Sequence, residues 1–276
     1  MRVLHDVPHC PHEEECLMSQ AIGWNNFVDT TALPEYRRLR LLEELFDPFS
    51  LRQLDCVGIQ PGWQCLEIGA GAGSIAERLA ELAGPANVVA TDLNLTFLDP
   101  IADLGVTVLH HDVTVDEAPG RFDLIHTRFV LDHLPEREAV IRKLASWLKP
   151  GGWLMLEIGT TLPALSSHPA NQRSMTVLAD VMAERVGTAP EWARTLPVPL
   201  EEAGLTDCAA EGMIMPARGG GPLAHWLKCT TKLVEEHAVA TGMITRDELA
   251  EAYANYDQPS FVDYTWMTVA ARGRRV

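Results

Sequence analysis

The sequence has few cations, no long apolar run and no regular cysteine spacing. Its 22 Lys and Arg face 38 Asp and Glu, which gives a formal net charge of −16. Such a surface repels phosphate backbones and anionic lipid, so we expect neither nucleic acid nor a membrane as partner. No apolar run approaches the length of a membrane span, and the first residues lack the charged-then-apolar layout of a secretory signal.

The six cysteines, at positions 10, 16, 56, 65, 208 and 229, follow no framework spacing. We interpret them as reduced thiols of a cytoplasmic protein. Residues 1–20 also contain histidines, but they have no Cys-x-x-Cys pair and no second ligand pair. The sequence therefore predicts no metal site. Internal repeats and low-complexity linkers are lacking too, which favours a single domain over two independent units.

Apolar residues make up 47% of the 276 positions, enough for a substantial core. One segment is especially informative. Residues 65–68 form a short apolar run, glycines follow at positions 69, 71 and 73, and residues 74–80 have a helical pattern. A strand, a glycine turn and a helix in this order let a ligand lie close to bare backbone at a helix N-terminus. The alternative is a tight turn that binds nothing.

Short apolar runs and amphipathic helical patterns alternate beyond this turn. Further strands are predicted at residues 88–91, 106–109, 122–126 and 153–157. The alternation predicts an α/β fold with a doubly wound parallel sheet that is buried on both faces. Ligands of such sheets bind beyond the carboxyl ends of the strands. Strands here end on or near four titratable side chains: Glu67, Asp92, Asp112 and His126.

Two helices are predicted before the sheet. Residues 35–46 have apolar side chains at helical spacing, and Pro48 stops this helix. Ser50 then acts as the N-cap of a second helix, which ends at Gly58. Within the sheet region, Pro100 predicts a short or kinked helix.

The last third of the chain contributes the remaining elements. Helical patterns cover residues 174–186 and 247–256, and a further helix begins at Pro222. Strands are predicted at residues 205–214 and 261–270. With the five strands above, these complete a sheet of seven.

Five segments resemble the motifs of class I S-adenosylmethionine-dependent methyltransferases. They are residues 66–73, 90–92, 111–113, 122–125 and 148–152, in the order and spacing of that family. The chain is most similar in type to small-molecule methyltransferases of actinobacterial natural-product biosynthesis. The resemblance implies a Rossmann-like, doubly wound, seven-stranded, mostly parallel sheet with helical cap insertions. It also implies S-adenosylmethionine as cofactor and methyl transfer to oxygen, nitrogen or carbon of a small organic acceptor.

The resemblance further implies a division of the chain into four segments. Residues 1–34 form an N-terminal arm, and residues 35–160 form the cofactor-binding core with its N-terminal helices. Residues 161–196 form a lid insertion. Residues 197–276 complete the sheet and contain a second helical insertion at about residues 216–258. We expect both insertions to cap the acceptor, in a monomer or a homodimer.

Residues of the glycine turn are the first candidates for cofactor binding. By the resemblance, Gly69, Ala70, Gly71 and Gly73 let the backbone approach the methionine part of the cofactor. Glu67 orders that region, through water or through the cofactor ammonium group.

Later strand ends supply the second set of candidate cofactor residues. The resemblance implies that Asp92 accepts hydrogen bonds from both ribose hydroxyls and that Leu93 packs on the ring. Asp112 and the Val113 amide hold the adenine edge, and Thr127 belongs to the same predicted set. The alternative for an acid at a strand end is a helix N-cap.

The segment after the fourth strand supplies candidate catalytic residues. By the resemblance, His133 acts as a general base, a role that suits a neutral imidazole. The alternative is that His133 only hydrogen-bonds backbone. Asp132 orients His133, although adjacent residues on a helix do not face each other. Arg128 either binds a substrate carboxylate or pairs with a nearby acid.

Aromatic, Met and His side chains are predicted to form the walls of the acceptor pocket. These residues are Trp24, Phe129, Met175, His225, Trp226 and Tyr256. The alternative is that side chains at such helical spacing belong to the core.

Two other functions stay open at this level. A nicotinamide-dependent oxidoreductase would use the same turn and Asp92, but the third glycine stands at Gly73, one residue before the position that a dinucleotide fingerprint requires. A protein that binds the cofactor without transferring methyl, such as a cyclase or a regulatory module, is not excluded by any sequence feature.

Overall fold

The computed structural model describes Phe27 and residues 33–276 of the chain. The predicted wall residue Trp24 and the His- and Cys-rich residues 1–20 lie outside the described residues. No helix of the described part is long and apolar enough to cross a membrane.

The strands of the described chain form a large sheet and a small one. In chain order they are β1 (Cys65–Ile68), β2 (Val88–Asp92), β3 (Thr107–His110), β4 (Phe122–Arg128), β5 (Leu148–Thr161), β6 (Thr206–Ile214), β7 (Ala217–Arg218), β8 (Val262–Asp263) and β9 (Trp266–Arg274). The large sheet has seven strands in the order β3-β2-β1-β4-β5-β9-β6, and β7 pairs with β8. Strands β1 to β5 are parallel, and β9 is antiparallel to both β5 and β6. The predicted Rossmann-like, mostly parallel, seven-stranded sheet is thereby confirmed.

Helices connect these strands and cover the carboxyl edge of the sheet. They are α1 (Leu33–Val57), α2 (Ser74–Ala83), α3 (Asp99–Asp103), α4 (Arg137–Trp147), α5 (Pro169–Val186), α6 (Val198–Glu202), α7 (Pro222–Ala240) and α8 (Arg246–Asp257). Short 3-10 turns lie at Pro85–Asn87, Leu131–His133, Pro163–Leu165 and Trp192–Thr195.

Apolar side chains alternate between the two faces of the sheet, and each face has its own helices. On one face Leu124 and Met155 share a core with α2, α3 and the C-terminal part of α1. On the other face Leu66, Ile125 and Leu154 pack with α4 and α6. Because both faces are covered there, the central strands β1, β4 and β5 are mostly buried, as expected for a doubly wound sheet, whereas β6 at the sheet edge is mostly exposed.

The two helices predicted before the sheet are one continuous helix, α1, with Pro48 inside it. Pro48 and Glu44, whose carbonyl loses its helical donor, are both exposed, so water can satisfy that carbonyl. Phe46 and Phe49 are fully buried on the opposite side. Burial of each ring stabilises the fold by about 2 kcal/mol. The two rings together offset the roughly 3 kcal/mol that a proline inside a helix costs. Ser50 is therefore not an N-cap.

Other boundaries differ from the prediction by a few residues. Strand β5 begins at Leu148, because Leu148 already pairs with Phe122 of β4. The last strand begins at Trp266, because residues 262–263 pair with β7 instead. Helix α5 begins at Pro169, which suits the first turn. Helix α3 is short, as Pro100 predicts.

Helices α5, α7 and α8 pack on one another over the carboxyl edge of the sheet. Their buried side chains form one apolar cluster with Leu42 and Phe46 from the first half of α1. Residues from two separate stretches of sequence thus join in one layer. This layer closes one side of the cavity described next.

Candidate active site

The glycine turn follows β1 and is fixed to the neighbouring strand. The amides of Gly69 and Ala70 donate to the carbonyl of Thr91 at 2.8 and 2.9 Å. Gly71 has a φ of +60°, and a Cβ there would meet only Leu39, at 3.6 Å. Gly71 also lines a cavity. Its backbone is therefore accessible to a ligand that any larger residue would crowd.

Gly73 serves packing rather than the cavity. It has a φ of +97°, and a Cβ at this position would lie 2.3 Å from Cγ1 of Ile101. Gly73 does not line the cavity. The absence of a side chain here lets α2 approach α3, and the predicted contact between Gly73 and a cofactor has no support in this geometry.

A cavity of about 490 Å³ lies beyond the carboxyl ends of β1, β2, β4 and β5. It brings together most of the residues that the sequence predicts for the site. These are Glu67, Gly69, Ala70, Gly71, Asp92, Leu93, Asp112, Val113, Arg128, Phe129, Asp132, His133 and Trp226.

Asp92 is the last residue of β2 and lies beside the glycine turn at the edge of the cavity. One of its carboxylate oxygens accepts from the Gly71 amide and the other from the Asn94 amide, both at 2.9 Å. Burial raises the pKa of the Asp92 carboxyl, and these amide donors oppose the rise. Asp92 does not cap the following helix, because α3 begins only at Asp99. The carboxylate therefore stands where the turn and the strand end meet.

Asp112 and Val113 lie in the next loop, after β3. The Asp112 carboxylate accepts from the amide and the hydroxyl of Thr114, at 2.9 and 2.6 Å. Val113 is buried, and Leu93 is largely exposed on the opposite side of the cavity. The loop thus offers one carboxylate and an apolar surface to a flat ring.

His126 lies between two carboxylates in the centre of the sheet. Its Nδ1 is 2.8 Å from Oε2 of Glu67 on β1, and its Nε2 is 3.0 Å from Oε1 of Glu157 on β5. All three side chains are buried. Burial alone would lower the pKa of His126, but the two carboxylates raise it to about 9. The imidazole is therefore a cation that donates to both acids at neutral pH.

The polar contacts continue from Glu157 to helix α1. Ser50 donates to Oε2 of Glu157 at 2.8 Å. Arg128 donates to Ser50 at 2.9 Å and to Asp47 at 2.8 Å. Ser74 at the start of α2 also donates to Asp47, at 3.0 Å. We call this set the strand-edge network: Glu67, His126, Glu157, Ser50, Arg128, Asp47 and Ser74.

The network decides between the two roles left open for Arg128. Its guanidinium pairs with Asp47, an acid of the chain itself, and is almost fully buried. Sequence reasoning missed Glu157, Ser50 and Asp47. One signal was present for Glu157, since it lies in the fifth predicted strand, like the acids near the ends of other strands.

His133 and Asp132 lie on the 3-10 turn after β4. His133 Nδ1 and the Thr188 hydroxyl share a hydrogen bond of 2.8 Å, and His133 Nε2 is 3.9 Å from Asp132 Oδ2. Oδ1 of Asp132 is buried without a hydrogen-bond partner among the described residues. Burial raises the pKa of the Asp132 carboxyl, and the neighbouring His133 opposes the rise. Nδ1 of His133 therefore bonds the side chain of Thr188.

Aromatic rings form another part of the cavity lining. Trp266 contacts Trp226 at 4.9 Å and Phe129 at 6.1 Å between ring centroids, both edge to face. Gly159 admits the Trp266 ring, because a Cβ there would lie 2.2 Å from it. Leu178 and Met182 of α5 line the same cavity. We call these residues the apolar chamber: Phe129, Leu178, Met182, Trp226 and Trp266.

Phe129 is held in a strained backbone conformation. Its φ of +56° lies in the left-handed region, which residues other than glycine rarely adopt. Its amide donates to the Glu157 carbonyl at 2.8 Å. Strain of this kind persists where the surroundings impose it, often at functional sites. Here it turns the ring into the chamber.

We expect Phe129→Gly to be more stable than Phe129→Ala by about 1 kcal/mol, because only glycine tolerates this φ without strain. Urea denaturation of the two variants measures the difference. The matched pair is Leu134→Gly and Leu134→Ala, where φ is −103° and glycine should be the less stable. Equal stability of the two Phe129 variants would contradict the strain.

Besides Gly73, four predicted site residues lie away from the cavity lining. Met175 and Tyr256 are buried within the cap cluster, and His225 is exposed on α7. Thr127 is buried in β4 and does not line the cavity. For Met175 and His225 the cause is the helix face, since only one stripe of α5 or α7 faces the cavity. Tyr256 belongs to α8, which contributes no residue to the lining.

Among residues 33–276, no cluster of three or more His, Cys, Asp or Glu side chains is placed to hold a metal ion.

A family model described as a methyltransferase domain matches residues 66–154. Methyltransferase str2 of Strobilurus tenacellus is 31% identical over 174 residues, which are 60% of this chain and 62% of that protein. A ubiquinone biosynthesis O-methyltransferase of Xanthomonas campestris is 35% identical over 112 residues, 38% of this chain and 46% of that protein. The chain thus spans less than two thirds of either curated relative.

Solved structures share the fold at low sequence identity. A phosphoethanolamine N-methyltransferase of Haemonchus contortus, solved with S-adenosylhomocysteine, superposes with a TM-score of 0.55. It is 15% identical, and the match covers 90% of this chain and 60% of that one.

Proposed function

We propose, from the premise that this chain carries a class I S-adenosylmethionine-dependent methyltransferase domain, that it transfers a methyl group to a small organic acceptor. One observation carries the proposal. A single cavity is lined both by the glycine turn, Asp92 and Asp112 and by the residues of the apolar chamber. Donor and acceptor can therefore meet inside one enclosure, which is the main requirement for transfer of an activated methyl group.

The residues around the glycine turn fit this cofactor. Gly71 leaves its backbone open toward the cavity, and Asp92 presents a carboxylate beside it. The Asp112 carboxylate and the Val113 backbone would hold the adenine, and Leu93 would pack on it. We assign the ribose hydroxyls to Asp92, which would exchange its amide donors for them.

S-adenosylmethionine, when bound, supplies an electrophilic methyl group on a sulfonium centre. The chain contributes orientation, exclusion of water and acceptance of the proton that an acceptor hydroxyl or amine releases. The cap helices α5 and α7 exclude water from the chamber. We assign the proton to His133, which lines the cavity and whose Nδ1 shares a 2.8 Å hydrogen bond with the Thr188 hydroxyl. Thr188 would then act as the positioning residue of this base.

Replacement of His133 by alanine tests that assignment. We expect kcat to fall by about 100-fold, the lower range for loss of a general base, with unchanged affinity for S-adenosylhomocysteine. His225→Ala, at an exposed position on α7, is the control and should keep full turnover. An unchanged turnover of the His133 variant would remove it from the mechanism.

Calorimetry with S-adenosylhomocysteine and, separately, with NAD tests the cofactor. Binding of the first and not of the second is expected. Incubation with methyl-labelled cofactor and candidate acceptors then tests the transfer. Tight cofactor binding without label in any product would favour a non-methylating activity instead.

Further parts of the proposal concern setting and organisation. The cysteines at 56, 65, 208 and 229 are free thiols, which supports a cytoplasmic location. A role in natural-product biosynthesis rests on the sequence resemblance. We also propose that residues 161–196 and about 216–258 act as the cap over the acceptor, in a monomer or homodimer.

A further inference from the structure

The apolar chamber is built to contact a flat, uncharged ring. Trp226 also contacts Phe46 at 5.5 Å, and Phe46 contacts Phe129 at 5.0 Å, so four rings pack edge to face. Phe46 lies behind the lining, and the other three rings line the cavity. Edge-to-face contacts hold rings in fixed orientations. Hydroxyls of Thr160 and Thr230 belong to residues of the same lining. The chamber thus offers ring faces and edges with a few neutral polar groups.

The ionisable residues of the cavity are predominantly acidic. Six carboxylates belong to its lining: Glu35, Glu43, Glu67, Asp92, Asp112 and Asp132. The lining contains two arginines, and both are paired with acids. Arg38 donates twice to Glu35, at 2.7 and 2.8 Å, and Arg128 donates to Asp47. Neither guanidinium is left over for an anionic ligand.

The carboxylates that remain after these pairings set the charge of the site. Glu67 is matched by His126, and Glu43 by Arg40. Asp92, Asp112 and Asp132 have no paired Lys or Arg among the described residues, and Asp132, 3.9 Å from His133 Nε2, shares one cavity lining with the chamber residues. The sequence of residues 1–32 contains Arg2 and no Lys. It therefore supplies little positive charge that could reverse this balance.

We infer that the acceptor is an uncharged, largely apolar molecule with a planar ring, and that acceptors bearing a carboxylate or a phosphate are excluded. This inference rests on the proposed function, because it names the acceptor of the same cavity. The acidic lining favours a cofactor with one net positive charge. That single charge offsets only part of the negative charge of the lining. An anion in the chamber would still share one cavity with these unpaired carboxylates, and like charges repel strongly where little water separates them.

Two probes of the same shape test the charge rule: 2-naphthol, neutral at pH 7, and 2-naphthoate, an anion. Their affinities for the full chain, with and without saturating S-adenosylhomocysteine, can be followed by calorimetry and by quenching of tryptophan fluorescence. We expect 2-naphthol to bind at least about 30-fold more tightly than 2-naphthoate. Equal binding of both probes, tighter binding of 2-naphthoate, or binding of neither overturns the inference.

Single variants locate the effect. Asp132→Asn should bring the ratio to within about fivefold by strengthening the binding of 2-naphthoate, because one unpaired carboxylate of the lining is removed. Asp103→Asn, exposed on α3, is the matched control and should leave the ratio unchanged. Trp266→Ala should weaken 2-naphthol. An unchanged ratio in the Asp132 variant would count against exclusion by charge.

The same experiment separates this inference from the proposed function. If the protein does not bind S-adenosylhomocysteine but still prefers 2-naphthol to 2-naphthoate, the proposed function is refuted and the selectivity of the chamber is supported. Normal S-adenosylhomocysteine binding with no naphthol preference would refute the acceptor class alone.

Discussion

Replacing His126 by alanine is expected to lower the free energy of unfolding by about 3 to 5 kcal/mol. Two carboxylates, Glu67 and Glu157, would lose their common partner while 2% and 0% exposed, and buried charges without partners cost that much. Urea denaturation followed by circular dichroism measures the change. His225→Ala, at an exposed position, is the matched control and should change stability by less than about 0.5 kcal/mol.

The same contacts make stability depend on pH. The carboxylates raise the pKa of His126 to about 9 against the lowering effect of burial, whereas an unfolded histidine titrates near 6.5. A cation favoured by folding contributes fully below pH about 6.5, and this contribution is lost as the pH rises through about 9. The difference corresponds to roughly 3 kcal/mol. Glu67 on β1, Glu157 on β5 and Arg128 on β4 are the charged groups around the ring.

A glutamine at position 126 separates the charge from the hydrogen bonds. His126→Gln is uncharged and keeps an N–H donor for one of the two carboxylates, so we expect it to be more stable than the alanine variant. We expect it to lack the decline in stability between pH 6.5 and 9 that the natural protein shows. A natural protein with constant stability over this interval, or a glutamine variant with the same decline, would contradict a charged His126.

Strand positions could be predicted because the pattern that encodes them is local. Residues 65–68 and 122–126 are short, apolar and followed by turn signals, and both form strands close to the predicted bounds. Pro48 misled the prediction for the same reason. A proline ends a helix only when tertiary contacts do not outweigh it, and Phe46 and Phe49 are buried by parts of the chain that are distant in sequence.

Which residues surround His126 depends on the register between neighbouring strands, and no local sequence pattern predicts that register. His126 reaches Glu157 only because β4 lies beside β5 with Arg128 opposite Glu157. The cap residues depend on rotation about a helix axis in a similar way. Trp226 lines the cavity, but the adjacent His225 points about 100° away and is exposed. Sequence reasoning could name the carboxyl edge of the sheet, but not these partners.

Replacing Asp92 is expected to have a large effect on the affinity for the cofactor product. We expect Asp92→Ala to weaken S-adenosylhomocysteine binding by at least about 100-fold, because two hydrogen bonds to a charged acceptor are lost at about 1.5 to 3 kcal/mol each. Calorimetry at pH 7 gives the affinity, and urea denaturation shows that the variant is folded. Asp103→Ala, exposed on α3, is the matched control and should bind normally.

A ligand without one hydroxyl shows whether the loss arises at the ribose. The 2′-deoxy analogue of S-adenosylhomocysteine should bind the natural protein about 10-fold more weakly than the parent compound, since one such hydrogen bond is missing. The Asp92 variant should bind the 2′-deoxy analogue and S-adenosylhomocysteine with equal affinity, because it lacks the carboxylate that would accept from the 2′-hydroxyl. The same penalty in both proteins would mean that Asp92 acts on the glycine turn, through the Gly71 amide at 2.9 Å, and not on the sugar.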